Sequence, residues 1–118
     1  MDIELVLENI KLRGTLDDTA AGRDFASLLP LILTLTDFHA TEKISDLPRR
    51  LSTEDAPAGT AASAGDITYY APWGNLALFY RDIAYSDGLV RLGCLAPGAA
   101  DVLADLDDDT TVSIGAAE

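Results

Sequence analysis

Apolar and polar residues alternate along much of the chain, and the period changes only a few times. Ile3, Leu5 and Leu7 alternate with Glu4, Val6 and Glu8, which predicts a half-buried strand. Ile10 and Leu12 repeat the pattern against Lys11 and Arg13, and Gly14 allows a bulge or bend before Leu16. Asp17-Asp18-Thr19 then offers short side-chain oxygens that suit a helix N-cap. From Ala20 to Leu29 the period becomes helical, with Ala21, Phe25, Leu28 and Leu29 on one face. Pro30 ends that helix, because the residue before a proline avoids helical geometry. Leu31 to Thr36 returns to period two, with Leu31, Leu33 and Leu35 on one side. Phe38 to Leu51 reads as irregular, and Thr53 to Gly65, rich in Ala, Gly, Ser and Pro, reads as an exposed flexible loop. Further strands are predicted at Asp66–Tyr70, Asn75–Tyr80, Leu89–Leu95 and Thr111–Ile114, with a short helix over Ala99–Leu106 and a turn at Ser86-Asp87-Gly88. No repeat and no second domain is evident. This succession is mainly β, and a sheet this small must close or cover its edges. A closed barrel with one or two capping helices meets that requirement.

The densest information lies between Gly65 and Tyr80. This stretch holds the only Trp and three of the four Tyr, arranged as two short apolar runs around Pro72-Trp73-Gly74-Asn75. So much aromatic surface beside a tight turn is either core or the wall of a pocket. Strand parity divides it: Ile67 and Tyr69 share one face, Thr68 and Tyr70 the other, and the same rule separates Phe79 from Tyr80. At most one of the adjacent tyrosines therefore looks into a barrel. Trp73 sits on the turn, outside the strand lattice, where it is placed to cover a cleft.

Composition narrows the functional classes. The chain has 118 residues, with 20 acidic side chains against 8 basic ones and a net charge of −12. Phosphate backbones and anionic lipid surfaces are repelled by such a charge, so neither nucleic acid nor membrane is an expected partner. The acidic Met1-Asp2-Ile3-Glu4 start lacks the basic region of an export signal, which leads to an expectation of a cytoplasmic protein. Cys94, the sole cysteine, excludes an internal disulfide and reads as a buried small hydrophobe in a strand. The Asp107-Asp108-Asp109 run reads as a solvated loop, since it lacks the alternating spacing and internal Gly of a calcium loop.

Several motifs together resemble the bacterial and archaeal cyclophilin-like family, small proteins with the cyclophilin barrel. They are Leu16-Asp17-Asp18, Arg23-Asp24-Phe25, Leu28-Leu29-Pro30-Leu31, Glu42-Lys43, Leu47-Pro48 and, above all, Gly65-Asp66-Ile67 through Phe79-Tyr80, closed by Gly88-Leu89 and Leu92-Gly93. The resemblance implies a closed barrel of about eight strands with helices over its ends. It does not carry prolyl isomerase chemistry with it. Cyclophilins proper place an Arg beside a proline pocket on a Phe-His-Arg strand, with a Gln-containing segment nearby. Here the nearest echo is Phe38-His39-Ala40, and the chain contains no Gln.

The candidate site residues follow. Tyr70, Trp73 and Phe79 are the expected apolar walls for a small molecule or peptide. His39 is the only histidine, the residue type best suited to proton transfer, and it follows a strand; a polar loop position is the plainer reading. Glu42 either pairs with Lys43 on the surface or binds a polar group of a ligand. Arg91 and Arg81 are the cations available for an anion or carbonyl contact, and one of them would have to serve the alternative reading, a peptidyl-prolyl isomerase. No catalytic residue, metal site or cofactor motif is identified. The sequence thus leads to an expectation of a binding barrel without isomerase residues.

Overall fold

The computed structural model describes residues 1–117. Eight strands form a closed antiparallel barrel in the order β1 (Asp2–Leu7), β10 (Thr110–Ala116), β3 (Leu31–Phe38), β4 (Glu42–Asp46), β7 (Asn75–Phe79), β6 (Asp66–Tyr70), β9 (Leu89–Leu95) and β2 (Ile10–Leu16). Alternation decides what fills it. Ile3, Leu5 and Leu7 of β1 point inward, as do Leu35 of β3, Ile67 and Tyr69 of β6, Leu76 and Leu78 of β7, and Val112 and Ile114 of β10. All are essentially solvent-free, so the lumen is a packed core, as expected of an eight-stranded barrel.

Two helices close the ends. Helix α1 (Ala20–Ser27) begins at Thr19, whose hydroxyl accepts a hydrogen bond from the Gly22 amide at 3.0 Å. It buries Ala21 and Phe25 where β2 ends and β3 begins, and its last turn stops at Leu28, short of Pro30. Helix α2 (Ala99–Ala104) buries Ala99 and Leu103 at the opposite mouth, between β9 and β10.

Three strands lie where the sequence reads as loop or turn. The segment expected to be irregular contains β4, which pairs with both β3 and β7. The segment expected to be an exposed loop contains β5 (Gly59–Ala62), and the stretch before Gly88 forms β8 (Ile83–Asp87). β5 and β8 make a separate two-stranded sheet. Their chain signal is weak because β5 is made of Gly, Thr and Ala and gains order only from its long-range partner. This small sheet lies against the outside of the barrel: Ala62 and Ile83 pack on Ala77, Phe79 and Leu89, which face outward from β7 and β9. Gly88 links β8 to β9 in the left-handed region (φ +82°), with Pro72 so close that a side chain has no room. Cys94, expected to be buried, is only half-buried.

The seam between β2 and β9 is short, with paired residues only from Gly14↔Leu95 to Leu16↔Gly93. Gly14 runs through the strand without a bulge; its role is close approach, since a Cβ there would lie 3.1 Å from the Cys94 carbonyl oxygen. At Gly93 the approach is tighter still, and a Cβ would collide with the Thr15 carbonyl oxygen. Gly93→Ala is therefore expected to cost roughly 2–3 kcal/mol in urea unfolding, because the obstacle is backbone. Gly115→Ala on β10, with open space around it, serves as the control and should stay within about 0.5 kcal/mol of wild type.

Candidate functional site

Because the lumen is filled, a site has to lie on the outer wall. Strand register defines that wall. Glu42 pairs with Phe79, Ile44 with Ala77, Tyr70 with Asn75 and with Leu89, and all of these side chains alternate with the inward set. The β5–β8 sheet covers part of this surface and leaves a cleft of about 250 Å³ beside it. The barrel contributes Phe38, Glu42, Ile44, Tyr70, Asn75, Phe79 and Leu89 to its lining, β8 contributes Ile83 and Ser86, and the β6–β7 turn contributes Trp73.

Trp73 spans the opening. It is 55% exposed, on the β6–β7 turn, and its ring meets Tyr70 edge-on at 5.2 Å and Phe38 edge-on at 5.3 Å. Such T-shaped contacts align ring edge and face charge, and they hold the indole over the cleft. Phe38 precedes a tight β3–β4 turn, closed by the Thr41 amide donating to the Phe38 carbonyl, in which His39 and Ala40 both have positive φ.

Two polar groups stand out among these apolar walls. Asn75 is 3% exposed, and its Oδ1 is buried without any hydrogen-bond partner among the described residues. An amide oxygen in that state loses its hydration without compensation. The second is Glu42, at the far end of the same ladder. It has no ion pair among the described residues, although Lys43 follows it directly. The expected Glu42–Lys43 pair does not form, since neighbours in a strand face opposite ways. Lys43 turns toward the barrel interior, where its Nζ donates to the Leu106 carbonyl at 3.0 Å, lies 3.4 Å from Asp37 Oδ1 and stands 5.7 Å from the Tyr80 ring centre. Tyr80 also donates to Asp37. That bond and the Lys43 contact hold the Asp37 carboxyl below its usual range, while burial and Asp37 push the Tyr80 hydroxyl up to about 12. Glu42 is left with burial and the repulsion of Asp37, which push its carboxyl up to about 7.

Of the residues singled out in the sequence, Tyr70, Trp73, Phe79 and Glu42 are brought together in this cleft. His39 is not among its lining residues; it is exposed and packs against Phe38 at 4.1 Å between ring centres. Arg91 lies off the cleft, donating to Asp17 at 2.9 Å and to Asp66 at 3.1 Å. Arg81 is exposed and does not line it. Sequence reasoning missed Asn75, Phe38 and the β8 residues. A signal for Asn75 existed: a polar residue opens a strand whose other four residues are all apolar.

A barrel with a second sheet laid on its outer wall, and an aromatic cleft at the junction, defines a class of small β-barrel proteins. The chain belongs to the cyclophilin-like family, whose profile matches residues 5–115. Among solved structures it is similar to a hypothetical protein of Archaeoglobus fulgidus, known from a solution structure, at 16% identity and a TM-score of 0.75 over 99% of this chain and 95% of that one. That likeness shows the fold. No curated protein matches the chain. No helix among the described residues is long and apolar enough to cross a membrane.

The two unpartnered groups differ in the pH dependence of what they cost. The Glu42 contribution is complete below its ordinary value of 4.5 and is lost as pH rises through about 7. Glu42→Gln should match wild type near about pH 4 and exceed it by about 1–2 kcal/mol near about pH 8, after discounting for solvent at this half-exposed site. Chemical denaturation at both pH values checks this. Asn75→Leu removes an unpaired buried oxygen at similar volume and should raise stability by about 1–2 kcal/mol with no pH dependence.

Proposed function

We propose that this protein is a binding module that takes a small ligand in the outer-wall cleft, under the indole of Trp73. The observation that carries the proposal is the buried, unpartnered Oδ1 of Asn75 in the cleft lining. A structure that keeps such a group at a cost to its own stability has a use for it, and a ligand donor is the group it lacks. Apolar walls with a few placed polar groups are the general make-up of a small-molecule site. A volume of about 250 Å³ suits a small molecule better than an extended peptide.

The isomerase alternative has less support. It needs a cation beside the proline pocket, and among the described residues no Lys or Arg lines the cleft. Arg91 is committed to two carboxylates.

Amide NMR of the isotope-labelled chain, titrated with a library of small polar-tipped fragments, tests the proposal. Saturable shifts should centre on the Trp73 indole, Tyr70 and Asn75 and disappear in Trp73→Ala. Fragments that bind only elsewhere, or shifts that survive in that variant unchanged, would sink it.

A further inference from the structure

The chemistry of the cleft also selects a ligand class, on the reading that it is a binding site at all. We propose that the ligand is a small organic ammonium with an apolar body and a hydrogen-bond donor at its other end.

The argument starts from the groups the protein leaves unmatched. Among the described residues, Glu42 is the one acid in the lining, and no Lys, Arg or His stands there with it. The adjacent cation, Lys43, is spent on Asp37 and the Leu106 carbonyl on the other face of β4. An anionic ligand would meet Glu42 with nothing to balance it. A neutral apolar ligand would seal both Glu42 and the Asn75 oxygen away from water unpaired. An ammonium supplies the missing positive charge at Glu42.

The aromatic rings favour the same class. Phe38, Tyr70, Trp73 and Phe79 line the same cleft as the two polar groups, with Phe79 paired to Glu42 and Tyr70 to Asn75 in the strand register. Aromatic faces attract cations, most strongly where water is excluded. The net charge of −12 adds a long-range field of the same sign.

Register sets the shape of the ligand. Glu42 pairs with Phe79 and Asp46 with Asn75, so the carboxylate and the orphan oxygen are four residues apart along the ladder, roughly 13 Å between backbone positions. One ammonium cannot serve both. The ligand therefore has two ends, with the cation at Glu42 and an O–H or N–H donor at Asn75.

Four matched probes titrated into the full-length chain by NMR test this. Tyramine carries both ends, phenethylamine lacks the hydroxyl, tyrosol replaces the ammonium by an alcohol, and phloretate replaces it by a carboxylate. Tyramine should perturb the Trp73 indole and the Asn75 side chain and bind about tenfold or more tightly than tyrosol, with phloretate excluded. Glu42→Gln should level tyramine with tyrosol, and Asn75→Leu should level tyramine with phenethylamine. Tyrosol, phloretate or neutral fragments occupying the cleft as tightly as tyramine overturn the ammonium assignment and leave the binding reading standing. A cleft silent to all four probes and to the fragment library overturns both.

Discussion

Closure of the eight-stranded sheet is the constraint on which everything else depends. A barrel of this size encloses either its own side chains or one small ligand. Tyr69, Leu76, Leu78 and their neighbours fill it completely. Every alternate residue is then driven outward, and the wall carrying Ile44, Asn75, Ala77, Phe79 and Leu89 is too apolar to be left to water. The β5–β8 sheet answers part of that exposure, and the cleft is the part it leaves. Core, second sheet and site are thus three consequences of one alternation.

The barrel was largely legible because alternation is a local signal. Strands β1, β2, β3, β6, β7, β9 and β10, both helices and the division between Tyr69 and Tyr70 follow from period and parity alone. β5 was not legible, since Gly59-Thr60-Ala61-Ala62 has no apolar face of its own and acquires one only against Ser86 and Ile83. β4 was hidden for a related reason: Glu42-Lys43 reads as a surface ion pair until one knows that Lys43 points inward. The aromatic walls of the cleft were visible in the sequence, as was Glu42. Asn75 was absorbed into a Pro-Trp-Gly-Asn turn, where Asn is ordinary. His39 and Arg91 were reasonable by residue type, and the structure separates both from the cleft through position and prior commitments.

Burial and the charge arrangement around β4 together raise one carboxyl of a strongly acidic protein toward neutral pH. Burial is the larger cause; Asp37, which collects the Lys43 ammonium and the Tyr80 hydroxyl, adds its own charge against ionisation of Glu42 on the other face. The two faces of one short strand therefore carry opposite electrostatic character, a satisfied pair within and an unsatisfied acid without.

The alternation of β7 also limits how such a protein diversifies. Substitution at positions 75, 77 or 79 changes the outer wall and leaves Leu76 and Leu78 in the core untouched. Insertion or deletion of a single residue exchanges the two sets, placing Asn75 among leucines and leucines in the cleft. Lineages built on this strand can change the outer wall one residue at a time, while the length of the strand stays fixed.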